Sequence, residues 1–516
     1  MKEEMRSNMP LYEMLERYKS EGNVSFHVPG HKNGRAYREE GGSGFLDKVL
    51  QADITEITGS DDLHHPEGVI LEAQWLAAEC FGADESFFLV GGSTAGNLAL
   101  ILSVCAEPGS LLLVQRNVHK SVIHGLMLAG ARALFLEPQV DEASGLAIAP
   151  AESAVRQALA AHPEAVGVLV TMPNYYGMGG DLAPLARACH DSGVPLLVDE
   201  AHGAHFGQHA KLPPSALSAG ADGVVQSTHK MLAAMTMGAM LHVQGPRLDR
   251  ALLKQRLAMV QSSSPSYPVM ASLDLARRMV HVRRGEAFTA GLAAVEALRH
   301  GLAELPRFRC LRPESPPQAQ DTGGSLPGTP AACANPSAAY LYQDPFKVVI
   351  FDASGGLSGS RLQAELERRG CIPEMSDDRY VVLLFSLGSS EADAMRLLDA
   401  LKAIDQEVSP PEKSFSENKA YVSTWNIHHA DRLSEPVSFS LRPVREEETE
   451  YIRLEACSGR KAAEMVIPYP PGIPLLYPGE VITREISARM LSLVKAGAKF
   501  QGVSDHTLQT LKVYLE

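Results

Sequence analysis

The sequence predicts an α/β fold: a large domain on a mainly parallel seven-stranded sheet, then a small α/β domain and a C-terminal domain. Three observations predict it. From about residue 85, short apolar, β-rich runs alternate with longer Ala/Leu-rich segments, the rhythm of βαβ units. The same rhythm resumes, more briefly, beyond a Pro/Gly/Ser-rich stretch at 313–336. A chain of 516 residues, 45% of them hydrophobic, can bury such cores without disulfide or metal staples, and its length suits about three domains.

In chain order, the predicted strands are 87–90, 111–114, 133–136, 166–171, 194–199, 223–227 and 239–243. Between them, 95–106, 121–128, 151–161, 182–191 and 215–219 read as helices. Residues 271–300 read as one long helix with Arg277, Arg278, Arg283 and Arg284 on a solvated or interdomain face. The second β/α pattern comprises strand 347–352, helix 359–369, strand 380–386 and helix 391–403, and 408–419 is a polar linker. The expected division is an N-terminal arm (1–60), a large domain (61–300), a small domain (301–410) carrying the 313–336 insertion, and a C-terminal domain (420–516).

Charge and cysteine usage narrow the function. The net charge of −14 argues against nucleic-acid or anionic-membrane partners, which need Lys and Arg to neutralise phosphates. The 7 cysteines are scattered with no Cys-x-x-Cys pair, as expected of reduced thiols in a cytoplasmic protein. No apolar run approaches the roughly 20 residues of a membrane span, and the N-terminus has no secretory apolar core.

Ligands of parallel sheets bind at the carboxyl ends of strands, so residues just after each apolar run come first. One strand ends in Val198-Asp199-Glu200-Ala201-His202, and a later one runs into Ser227-Thr228-His229-Lys230, about one βαβ unit on. A buried Asp and a buried Lys at one sheet edge suit pyridoxal phosphate: the amine forms a Schiff base, and the carboxylate keeps the ring nitrogen protonated. Taken alone, each residue better fits a buried salt bridge without cofactor or, for the lysine, a surface position. Asp199–His202 also spells a helicase DEAH box, but no Gly-Lys dipeptide exists for the phosphate loop that reading requires.

Gly91-Gly92-Ser93-Thr94-Ala95-Gly96-Asn97 follows a strand and opens a helix, a fitting anion site or an ordinary helix cap. His119, after the second strand, is placed to stack on a flat ring or to cap a helix. The His-rich stretches 27–31 and 61–68 and the pair His428-His429 lack metal-ligand spacing, so no metal is expected.

These residues together resemble the bacterial pyridoxal-phosphate-dependent ornithine/lysine/arginine decarboxylases, in the shorter form without an N-terminal wing domain. The matching stretches are 10–12, 27–32, 61–64, 91–97, 116–121, 199–205, 227–230, 261–267 and 468–474, nearly the whole chain. The resemblance implies a fold-type-I, aminotransferase-like large domain. It implies Lys230 as the Schiff-base lysine, Asp199 as the ring-nitrogen partner, His119 and Ala201 on the two ring faces, and His229 beside the reacting centre. Ser93, Thr94 and Ser227 would hold the phosphate, with Ala95 and His202 completing the cofactor set. Ser263 would serve a neighbouring subunit of a homodimer or higher homo-oligomer, and the 468–474 loop would help close the site. Glu374, with Glu56 and Asp61 as further candidates, would meet the distal cation of a basic amino acid. The chain departs from the family pattern at Met237, where a Gln is common nearby, and at Phe346, where a small polar residue is usual. The implied reaction is decarboxylation of arginine first, then lysine or ornithine, to CO₂ and an amine such as agmatine or cadaverine. The alternatives are another reaction on the same scaffold, transamination or elimination, and a non-catalytic binding protein.

Overall fold

The computed structural model describes residues 6–38, 41–42, 44–313, 340–408, 435–469, 473–495 and 497–515. Most of the 313–336 insertion and of the 408–419 linker, and His428-His429, lie outside the described residues.

Seven strands form the main sheet: β1 (Glu85–Leu89), β2 (Leu111–Gln115), β3 (Arg132–Leu136), β4 (Ala165–Thr171), β5 (Leu196–Asp199), β6 (Gly223–Gln226) and β7 (Ala239–Val243). Their order is β1-β7-β6-β5-β4-β2-β3, and Val437–Ser438 adds an antiparallel edge to β3. The pairs β2–β3, β2–β4, β4–β5 and β5–β6 are parallel, while β7 runs antiparallel to β6 and β1. β2 is buried along its whole length, as expected where helices cover both faces. The helix Gly92–Val104 lies so close to the sheet that a Cβ on Gly96 would come within 2.8 Å of Leu89 Cδ1 and Val225 Cγ1.

A second, four-stranded antiparallel sheet runs in the order Met375–Ser376, Val381–Leu384, Lys347–Asp352, Phe308–Cys310, with helices Gly359–Arg368 and Glu391–Glu407. The last piece pairs Thr449–Arg453 with Thr510–Tyr514 and Ile467–Tyr469 with Lys499–Gln501 around helix Arg484–Lys495. Among the described residues no helix is long and apolar enough to cross a membrane.

Two expectations fail for local reasons. Residues 215–219 form a turn, not a helix, because Ala216 N–H donates to buried Glu200 (2.7 Å) and Gly220 enters the left-handed region at φ 98°. Glu200 also accepts from Gln226 Nε2 (2.7 Å), and burial raises its carboxyl to about 8. The helix expected over 271–300 is two helices, Tyr267–Arg283 and Thr289–Leu302, separated by a 3₁₀ turn at Arg284–Phe288 where Arg284 adopts φ 47°.

Of the arginine stripe, Arg283 and Arg284 are exposed as expected, whereas Arg277 and Arg278 turn inward. Arg277 is fully buried, paired with Asp274, and donates to the carbonyls of Arg6 (3.0 Å) and Asn8 (2.6 Å). Asp274 in turn accepts from Leu11 N–H (3.1 Å), and Arg278 donates to Ser7 O. This cluster pins the N-terminal segment to the large domain. Removing one partner of a buried pair leaves an uncompensated charge, so Arg277→Met should destabilise the fold by about 3–5 kcal/mol in urea denaturation. Asp274→Asn in the same chain should recover part of that loss; equal midpoints for wild type and Arg277→Met would contradict this assignment.

Candidate active site

The parallel strands deliver their last residues to one edge: Gln115 ends β2, Thr171 ends β4, Asp199 ends β5, and Lys230 lies in the short helix Thr228–Met231 after β6. These four line one pocket with Ser93, Asn117, His119, Asn174, Tyr175, Ala201, His202 and Ile473.

Asp199 is 3% exposed. Its Oδ2 accepts from Asn97 Nδ2 (2.8 Å) and its Oδ1 from Ala201 N–H (3.1 Å). Asn97 Nδ2 also reaches Ser121 Oγ (3.0 Å), whose hydroxyl is 2.9 Å from His119 Nδ1. Ser121 N–H donates to the same ring nitrogen (3.2 Å), which makes Nδ1 an acceptor and puts the ring proton on Nε2. His119 therefore caps the helix Lys120–Ala129 and presents its ring to the pocket at once. Burial lowers its proton affinity despite the opposing Asp199 charge, and the ring is held neutral.

Burial also lowers the pKa of Lys230, against the attraction of Asp199 and Glu374. A less protonated amine is a better nucleophile. Lys230 Nζ lies 3.1 Å from His202 Nε2 and 5.7 Å from the Tyr175 ring centre. His202 Nδ1 is 2.8 Å from Nζ of Lys347, a buried lysine on the small domain's sheet.

The anion side is built from hydroxyls and amides. The helix Gly92–Val104 starts at Gly91 without a side-chain cap, so its first N–H groups, around Ser93, Thr94 and Ala95, are offered outward. Ser227 Oγ is buried with no hydrogen-bond partner among the described residues, a rare condition that a bound phosphate oxygen would satisfy. A buried carboxylate, a depressed amine, a neutral imidazole and this donor set fit pyridoxal phosphate.

Other sequence candidates fall elsewhere. His229 Nδ1 donates to Gly238 O (2.9 Å), and His229 does not line the pocket. Ser263 is exposed and away from this chain's own pocket. Glu374 does not line it either, but its charge acts on Lys230, Tyr175 and Lys347. Asp61 does not line the pocket, and its carboxylate accepts from the N–H groups of Asp62, Glu67, Gly68 and Ile70 at 2.9 to 3.0 Å in the turn before helix Val69–Phe81. Burial, with the nearby Asp62 charge, raises the Glu56 carboxyl, and Glu56 too is absent from the pocket lining. In the His-rich stretches, His31 pairs with Asp53 (3.2 Å) and His27 with Tyr18 (2.8 Å).

Sequence reasoning missed Gln115, Thr171, Asn174, Tyr175 and Lys347. Gln115 and Thr171 carried a usable signal, since Gln115 directly follows the predicted strand 111–114 and Thr171 closes the predicted strand 166–171. Tyr175 and Lys347 carried none.

The C-terminal piece supplies the last wall, Ile473. Arg116 fixes it there: Nη2 bonds Glu480 (2.9 Å) and Leu475 O (3.1 Å), and the guanidinium lies 4.1 Å from the Tyr477 ring centre. Tyr477 stacks on Phe135 (4.7 Å) and donates back to Arg116 O (2.8 Å).

A family model described as Orn/Lys/Arg decarboxylase, major domain, matches residues 9–393, and one described as Orn/Lys/Arg decarboxylase, C-terminal domain, matches 435–510. The chain is 40% identical to the protein YaaO of Bacillus subtilis (strain 168) over 99% of each chain. It is 34% identical to an arginine decarboxylase of the same organism over 98% of each. The crystal structure of the Francisella novicida lysine decarboxylase LdcF shares the fold, with a TM-score of 0.78 over 98% of this chain and 81% of that one, at 20% identity.

Arg116→Met should release the segment around Ile473. Amide hydrogen exchange at 473–482 should quicken at least tenfold while β4 and β5 stay protected; unchanged exchange there would show that Arg116 does not hold the wall.

Proposed function

Because the chain belongs to the Orn/Lys/Arg decarboxylase family, we propose the residue roles and the substrate preference by which it works. It is a carboxy-lyase, a pyridoxal-phosphate-dependent decarboxylase of a basic amino acid. Arginine is the proposed substrate. The 34% identical relative named arginine decarboxylase supports that choice, as do the Glu374 charge near Lys230 and the net charge of −14, which attracts cations.

Bound pyridoxal phosphate supplies the ring that accepts the electron pair left behind as CO₂ departs. Lys230 is the amine that would anchor the cofactor covalently, its lowered proton affinity favouring the free base. Asp199, oriented by Asn97 and Ala201 N–H, holds the proton of the ring nitrogen. His119 and Ala201, which line the pocket, would hold the two faces of the ring. Ser93, Thr94, the N–H of Ala95 and the unpaired Ser227 hydroxyl bind the phosphate. His202 orients Lys230, and His229 acts beside it. Glu374 binds the distal guanidinium or ammonium. Ser263, exposed on its own chain, is proposed to complete the pocket of a second copy in a cytoplasmic homodimer. The observation that carries this reading is a single pocket lined by a buried Asp199 carboxylate, the Lys230 amine and the neutral His119 ring.

Purified protein given each of arginine, lysine and ornithine should release CO₂ and amine with the highest kcat/KM for arginine. A higher value for lysine or ornithine would overturn the substrate choice. Lys230→Ala should lose the visible absorbance of lysine-bound cofactor, and a retained band would remove Lys230 from its role. Glu374→Gln should raise KM for arginine about 10- to 100-fold with a smaller effect on kcat, since a charged hydrogen bond contributes about 1.5–3 kcal/mol.

A further inference from the structure

His202 is an imidazole held between two amines. Its Nε2 lies 3.1 Å from Lys230 Nζ and its Nδ1 2.8 Å from Lys347 Nζ. His202 is 5% and Lys347 1% exposed, so solvent does not mediate between them. Tyr175 lies over all three: its ring centre is 4.3 Å from that of His202, 5.7 Å from Lys230 Nζ and 5.4 Å from Lys347 Nζ, and its carbonyl accepts from Lys347 (3.3 Å).

Proton counting restricts this arrangement. A neutral imidazole has one N–H and one lone pair. If Lys347 is an ammonium donating to Nδ1, the ring proton sits on Nε2 and needs a lone pair on Lys230. If Lys230 is the ammonium, the ring proton sits on Nδ1 and Lys347 must be the neutral amine. Two ammonium groups would leave one of them facing an N–H. The satisfied states therefore carry at most one cation, shared by the two lysines.

We propose that Lys347 is a positioning residue that takes up the proton of Lys230 through His202, leaving Lys230 as the free amine. In this step Lys230 gives a proton to Nε2 while Nδ1 gives one to Lys347. An N–H bond breaks and forms at each transfer, no electrons change hands, and the ring stays neutral in its other tautomer. The inference deepens the function proposed above and rests on Lys230 being the reacting amine.

The surroundings agree. Burial depresses Lys347 to about 8, against Asp344 and Glu374, which favour its charge, and with Lys230 adding to the depression. Burial, Lys230, Lys347, His119 and His229 all keep His202 from taking a proton of its own. Asp199 and Glu374 face Lys230. The lysine of the small domain thereby reaches the large-domain site through one side chain.

The test reads Lys230 directly. In full-length protein freed of cofactor, the pH dependence of Lys230 labelling by acetic anhydride, located by peptide mass spectrometry, gives its midpoint. Lys347→Met removes the shared cation and should raise that midpoint by about one pH unit. Lys347→Arg keeps a permanent cation at Nδ1 and should hold it at or below the wild-type value. An unchanged midpoint in Lys347→Met, or a rise in Lys347→Arg, would overturn the proposal. If Lys347→Met does not fold, the direction in Lys347→Arg decides. The readout does not need activity, so a failure here is separate from a failure of Lys230→Ala to lose the cofactor band.

Discussion

The burial of the Asp199 carboxylate is the constraint from which the site follows. An isolated carboxylate in a sheet interior costs several kcal/mol unless its oxygens are hydrogen-bonded. Here Asn97 and Ala201 N–H meet it, and Asn97 passes the order on to Ser121 and so to the His119 ring. Neither of the two donors is itself charged. The carboxylate keeps an unspent demand for a cation, which a protonated pyridine nitrogen answers. The parallel sheet makes this possible, because β2, β4, β5 and β6 end on the same side.

The rest of the molecule holds that edge closed. The Arg277–Asp274 pair ties down the N-terminal segment, and Arg116 ties down the C-terminal piece. Both use guanidinium groups on backbone carbonyls, where a planar fork fixes direction as well as distance. Lys347 performs a third bridging task, since it belongs to the small domain's sheet and touches His202 of the large one.

Legibility in the sequence followed the range of the signal. All seven strands of the main sheet were readable, because a strand buried on both faces is a continuous apolar run. Asp199, Lys230 and His119 were readable because they stand just past such runs. The break at Arg284 was not, since an apolar period carries through it and only a positive φ reveals it. The partners of Asp61 were not legible, because a carboxylate in a polar cluster looks the same whether it meets a substrate or four backbone N–H groups. Tyr175 and Lys347 come together across a domain contact that leaves no local pattern.

The Ile473 wall also sets an order in time. β1 to β7 leave the ribosome long before Arg116 can meet Glu480 and Tyr477, so the growing chain can fold its sheet while the pocket is still open on one side. Closure waits for a segment that lies about 230 residues beyond the end of β7. A nascent chain stalled before that segment would carry Lys230 in a pocket that lacks one wall.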